Sequence, residues 1–176
     1  HRLGPLVVDP VMVATSGDML LQPDAVEAVR RELLPLADIV TPNLPEAARL
    51  LDRSPAVDEA EMVAQAQALL ALGPGAVLLK GGHGEGSDAV DILVVRGLAP
   101  VRLALPRIAT GNTHGTGCTL SAAIAAGLAQ GESLTDAVTG AKRFVHAALE
   151  AGRGLKIGGG AGPVDHLHAV RHDRKP

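Results

Sequence analysis

A chain of 176 residues, 47% hydrophobic and with a formal charge of -3 from 16 Lys+Arg against 19 Asp+Glu, has the balance of one soluble globular domain with a real core. One phenylalanine (Phe144) and no tryptophan or tyrosine exclude base stacking on aromatic side chains, and with no long basic block a nucleic-acid partner is not expected. A single cysteine cannot close an internal disulfide, and no run approaches the roughly 18 apolar residues of a membrane span, so the expectation is a cytoplasmic protein with no membrane partner.

In chain order, Leu6-Val7-Val8 reads as a strand already under way, with Asp9-Pro10 at its exit and no initiator methionine before it. That start has the look of a fold entered partway. Pro23 to Leu34 carries the helical spacing Val26, Val29, Leu33, with Pro23 suited to a first turn. Ala37 to Thr41 is a short strand stopped by Pro42. Asn43 to Leu51 is a short helix with Asn43 as N-cap and Glu46 three residues on, where a carboxylate can close a capping box. Asp58 to Leu72 is a stronger helix, ended by Gly73-Pro74-Gly75. Ala76-Val77-Leu78-Leu79-Lys80 is continuously apolar up to its lysine, the pattern of a strand buried on both faces.

Gly81 to Gly86 is a glycine-rich turn, and Ala89 to Val95 with Pro100 to Leu105 predicts an antiparallel hairpin about Arg96-Gly97. Two alanine-rich helices follow, Thr116 to Gln130 and Leu134 to Ala151, and the glycines at 158 to 162 read as a loop. Strands alternating with helices imply right-handed crossovers and a mostly parallel sheet covered on both sides. Ligands of such sheets collect beyond the carboxyl ends of the strands. Asp9, Thr41-Pro42-Asn43 and Lys80-Gly81-Gly82-His83 each follow a predicted strand, so all three ends are expected at one edge.

The most informative stretch is Thr113-His114-Gly115-Thr116-Gly117-Cys118-Thr119, which runs straight into a helix. Its two glycines free the backbone to aim N–H groups at one point, and the helix adds its positive end, so the place attracts an anion. A helix N-terminus also favours a thiolate over a thiol, and the only cysteine of the chain sits there. An anion cradle, a strand-end lysine and neighbouring carboxylates are what phosphoryl transfer needs. No Gly-x-x-x-x-Gly-Lys-[Ser/Thr] occurs, and Gly82-x-Gly84-x-Gly86 lacks the dinucleotide spacing. Each residue has a plainer use. Glu46 could serve only its capping box, Asp9-Pro10 could be a strand exit, and Lys80 could simply snorkel. His83 and His114 suit loop shaping better than metal binding, and His166-x-His168 lacks the third ligand a zinc site needs.

Four ordered stretches carry a resemblance: Val8-Asp9-Pro10-Val11-Met12-Val13-Ala14-Thr15-Ser16-Gly17-Asp18, Thr41-Pro42-Asn43-Leu44-Pro45-Glu46-Ala47, Lys80-Gly81-Gly82-His83 and Asn112 to Thr119. Together with Gly162-Pro163-Val164-Asp165-His166-Leu167-His168 they resemble the hydroxymethylpyrimidine/phosphomethylpyrimidine kinases of thiamin biosynthesis, in the ribokinase-like superfamily. The cysteine that ends Gly-Thr-Gly-Cys is the specific mark, since sugar kinases of the superfamily usually carry aspartate there.

The resemblance implies a three-layer α/β/α sandwich and an ATP- and Mg2+-dependent transfer to 4-amino-5-hydroxymethyl-2-methylpyrimidine and then to its monophosphate. Gly115, Thr116 and Gly117 would form the anion hole over the transferring phosphoryl, and Cys118 would take or orient the acceptor's hydroxyl proton. Asn43 and Glu46 match an Asn-x-x-Glu element that holds magnesium, often through water. Lys80, Asp9 and Thr113 would lie against the nucleotide phosphates. A homodimer is suggested on the same ground. Members of the family are longer at the N-terminus, so the expectation is a single kinase domain over 1–176 that lacks its N-terminal part and much of the acceptor pocket. A pyridoxal-type vitamin kinase and a non-catalytic nucleotide-binding remnant are the alternatives.

Overall fold

In a computed structural model of the chain, residues 4–12, 20–82 and 86–171 are described. Val13 to Asp18 of the first motif and His83 lie outside them. The chain divides into two compact units, His1–Pro106 and Arg107–Pro176.

The first unit is built on one five-stranded sheet in the order β1-β2-β3-β4-β5, where β1 is Val7–Val8, β2 Ile39–Val40, β3 Ala76–Lys80, β4 Asp88–Val95 and β5 Val101–Pro106. β1, β2 and β3 run parallel, with Val7 beside Ile39 and Val40 beside Val77. The predicted hairpin is present as β4 and β5, and it joins the same sheet by pairing antiparallel with β3, so the sheet is mixed. Ala76 to Leu79 are fully buried, as an uninterrupted apolar run in a central strand requires. Hydrogen bonds extend the β2 ladder past its labelled ends: Thr41 N–H donates to the Val8 carbonyl at 2.9 Å and Lys80 N–H to that of Pro42 at 2.8 Å. These extra rungs carry the three parallel strands to one common end.

Helix α1 (Pro23–Ala28) continues as a π turn, Val29–Leu33, and a 3-10 turn, Leu34–Leu36. The expected stripe ended on Leu33, but Leu33 is exposed and Leu34 is fully buried. A π turn takes one extra residue per turn, which moves the inward position on by one. Pro35, with no N–H to donate, then closes the segment. Helix α2 (Leu44–Leu51) and helix α3 (Glu59–Leu70) pack on one another, with α3 against β3 and β4. Met62, Ala66 and Leu69 of α3 join Val77, Leu79 and Ile92 in the aliphatic core.

Just after β3 the chain passes so close to β4 that a Cβ on Gly81 would stand 2.1 Å from the Val90 carbonyl oxygen and 2.8 Å from the Met62 methyl. Gly81→Ala is therefore expected to lower stability by about 2–3 kcal/mol, the cost of overpacking against backbone. Urea unfolding reads this as a lower midpoint; an unchanged midpoint would show that the turn can move aside.

In the second unit, α4 (Thr116–Ala129) and α5 (Leu134–Gly152) pack along each other, and α5 also touches α6 (His168–Arg171). Ser133 caps α5 by accepting the Asp136 N–H. No helix among the described residues is long and apolar enough to cross a membrane.

Candidate active site

The three parallel strand ends of the first unit meet in a charged cluster. Asp9 follows β1, and its Oδ1 accepts from Lys80 Nζ at 2.8 Å and from the Thr41 hydroxyl at 3.0 Å. Lys80 and Asp9 come from positions 71 apart, and their side chains are only 13% and 12% exposed. A pair so far from water gains more from its mutual attraction than a surface bridge does. Thr41 is fully buried behind it.

Beside this pair stands the N-terminus of α2. The ladder continues to Asn43, which bridges Lys80 in parallel fashion, so the N-cap of the helix is fixed next to the lysine. The capping box is complete. Asn43 Oδ1 accepts from Glu46 N–H at 2.8 Å, and Glu46 Oε2 accepts from Asn43 N–H at 2.7 Å. Glu46 is 3% exposed, and the Met12 N–H also donates to it. The plain capping use of Asn43 and Glu46 is thus met, and the same geometry leaves them beside Asp9 and Lys80.

Burial pushes the Glu46 carboxyl above its ordinary 4.5, with the Asp9 charge adding to the rise; the Asn43 N–H, the Lys80 ammonium and the Met12 N–H pull it down by less. A carboxyl with a raised folded-state value holds its proton more tightly folded than unfolded. From pH 4.5 up to that raised value, its contribution to stability therefore falls as pH rises. Glu46→Gln should remove this fall: between pH 4.5 and neutrality the variant loses less stability than the wild type in urea unfolding. Equal slopes would contradict it.

These residues fit a hydrated hard cation. Asn43 Oδ1 and Glu46 Oε2 each already accept one N–H and keep one lone pair. Among the described residues no three His, Cys, Asp or Glu side chains converge. An ion here would have few protein oxygens and several waters, which is how Mg2+ is commonly held.

In the second unit, the expected glycine loop becomes the start of α4. Gly115 is its N-cap at φ +83°, a left-handed conformation that favours glycine. Gly117 lies inside α4, in keeping with a helix that begins at Thr116, so of the two glycines only Gly115 takes the left-handed turn. Thr116 donates its hydroxyl to the Thr113 carbonyl at 2.7 Å, closing the turn into the helix. As second and third residues of the helix, Gly117 and Cys118 have N–H groups with no intrahelical acceptor. Cys118 is exposed, a free thiol in the first turn.

His166, which lacks the third ligand of a zinc site, sits 2.8 Å by its Nε2 from the Thr119 hydroxyl, 47 positions earlier. A second missed residue is Asp91, buried on β4, whose Oδ1 accepts the Gly81 N–H at 3.0 Å and so fixes the turn after Lys80. The signal available in the sequence was a lone carboxylate inside the apolar run Ala89 to Val95.

The family model described as phosphomethylpyrimidine kinase matches residues 1–165. The hydroxymethylpyrimidine/phosphomethylpyrimidine kinase of Rhizobium meliloti is 60% identical over 162 residues, covering 92% of this chain and 60% of that protein. The chain thus spans about three-fifths of that relative's length. Pyridoxal kinase from Staphylococcus aureus, solved with AMP-PCP and pyridoxal, superposes with a TM-score of 0.85 at 35% identity, over 95% of this chain and 59% of that one. A phosphomethylpyrimidine kinase from Clostridium difficile gives 0.68 at 40% identity, over 83% and 58%. These likenesses agree with the ribokinase-like α/β architecture that the motifs imply, and by the match along nearly its whole length the chain belongs to the phosphomethylpyrimidine kinase family.

Proposed function

We propose that this chain carries out ATP-dependent phosphoryl transfer to the hydroxymethyl group of 4-amino-5-hydroxymethyl-2-methylpyrimidine and then to its monophosphate. The observation that carries the reading is the preformed Asp9–Lys80 pair beside the Asn43–Glu46 box at the carboxyl end of three parallel strands. In this reading Lys80 neutralises nucleotide phosphate, and Asn43 and Glu46, with Asp9 nearby, hold Mg2+ through water. The ion would supply charge neutralisation on the transferring phosphates. Gly115, Thr116 and Gly117, with Thr113 at the turn, cradle the γ-phosphoryl on the α4 N–H groups. The Cys118 thiol, close behind them in the chain, takes or orients the acceptor's proton.

The family match crosses the boundary at Pro106 without a break, which supports one kinase domain over 1–176. A homodimer belongs to the reading through the resemblance alone, and a cytoplasmic location through the single cysteine. A pyridoxal-type kinase is the second reading, favoured by the structural likeness to the Staphylococcus aureus enzyme.

Turnover of magnesium-ATP with hydroxymethylpyrimidine and with pyridoxal, followed by ADP release, separates them. The expected result is a higher kcat/KM for the pyrimidine, from this chain or from a version extended upstream in its natural reading frame. Preference for pyridoxal would establish the second reading. Nucleotide binding without turnover in both versions would leave a non-catalytic binding domain.

A further inference from the structure

We propose that His166 is a positioning residue for the loop from Gly115 to Cys118, acting through the Thr119 hydroxyl. Its bearing on catalysis rests on the phosphoryl-transfer reading above. The inference itself begins with one hydrogen atom. Thr119 Oγ1 lies 2.7 Å from the Gly115 carbonyl oxygen and 2.8 Å from His166 Nε2. A carbonyl cannot donate, so the single hydroxyl hydrogen goes to Gly115, and the hydroxyl must accept from the histidine. His166 therefore carries its proton on Nε2. That holds for the neutral ring and for the imidazolium alike.

The consequence falls on the peptide between Gly115 and Thr116. The Gly115 carbonyl accepts twice, from Thr119 N–H at 2.9 Å and from the Thr119 hydroxyl at 2.7 Å. A peptide group is planar, so pinning its carbonyl pins the plane through which the chain enters α4. Gly115, at φ +83° and without a Cβ, offers little resistance of its own to rotation. A threonine hydroxyl is a rotor, and His166 is the second partner that stops it.

His166 is itself held from a firm base. The His114 N–H donates to the Gly162 carbonyl at 3.0 Å, and His114 and Pro163 form a parallel bridge. Val164 is buried, the Asp165 N–H donates to the Ala148 carbonyl at 3.0 Å, and the His168 ring lies 5.0 Å from that of Phe144. Residues 162–168 thus strap the loop to α5. His166, Thr119 and Cys118 line the same groove.

Cys118 is the only cysteine, so a thiol reagent reads the loop directly. The test compares wild type, His166→Ala and His166→Gln, the last keeping an N–H donor. Iodoacetamide alkylation of Cys118 should change about three- to tenfold in the alanine variant, the equivalent of one hydrogen bond, and return towards wild type in the glutamine variant. In turnover, kcat should fall by a similar factor with KM for the acceptor within about twofold. Nitrogen-15 NMR of the wild-type ring should place the neutral-form proton on Nε2. Alkylation and kcat unchanged by alanine, or a neutral ring protonated on Nδ1 alone, would overturn the inference. A wild type with no transfer at all would instead defeat the kinase reading, and the alkylation comparison would still decide the role of His166.

Discussion

Replacing Cys118 by alanine is expected to lower kcat by about 10²- to 10⁴-fold, the contribution of a positioned acid–base group, while nucleotide affinity stays within about twofold. The thiol is exposed in the first turn of α4, whereas the donors proposed to cradle phosphate there are backbone N–H groups, which alanine retains. Alanine is also the best helix former, so the first turn survives the change. Transfer and binding therefore separate, because the proposed role of the thiol is toward the acceptor and not the nucleotide. Steady-state turnover beside calorimetric titration with ATP measures both. Equal loss of ATP binding would contradict that role.

Lys80→Met should act on stability and on turnover together. Removing the ammonium leaves the Asp9 carboxylate, 12% exposed, next to buried Glu46 without its nearest cation. Breaking one side of such a pair costs about 2–4 kcal/mol, somewhat below the figure for complete burial. The Glu46 carboxyl, which Lys80 pulls down, would rise further. Turnover should fall about 10²-fold or more, because the proposed role of Lys80 is to supply the counter-charge of the nucleotide phosphate. Adding Asp9→Asn removes the uncompensated charge, so the double variant recovers much of the stability and none of the turnover. Urea midpoints and kcat/KM test the pair of claims. A Lys80→Met protein as stable as wild type, or a double variant that regains transfer, would contradict them.

Local patterns in the sequence were enough for the elements whose cause is local. Asn43 and Glu46 form a capping box because their spacing of three brings side chain and backbone together in any helix that starts there. Ala76 to Leu79 become a buried strand because an unbroken apolar run has nowhere else to go. The hairpin follows from two apolar runs about Arg96-Gly97. Even so, its attachment to β3 depends on which strand edge is open, and no turn signal encodes that.

What stayed hidden depends on contacts between distant residues or on a small change of helical period. The π turn at Val29–Leu33 shifts the buried position from Leu33 to Leu34, and a fixed 3.6-residue template cannot register that. The alternation of strands and helices lets Asp9, Asn43 and Lys80 be expected at one edge, but the 2.8 Å contact between Lys80 and Asp9 needs the register of three strands. In the sequence His166 stands only in a His-x-His pair and in the stretch Gly162 to His168, neither of which points to Thr119. Its hydrogen bond to Thr119 requires the chain after α5 to fold back along the loop, which the glycines at 158 to 160 permit and do not dictate.

The most direct test of phosphoryl transfer is phosphorus-31 NMR of magnesium-ATP and hydroxymethylpyrimidine incubated with the wild-type chain and, in parallel, with Cys118→Ala. The expected result is a new phosphate-ester resonance growing with ADP in the wild-type sample and absent on the same timescale from the variant. An ester formed equally by both would remove Cys118 from the chemistry, and ADP appearing only with inorganic phosphate would contradict transfer to the pyrimidine.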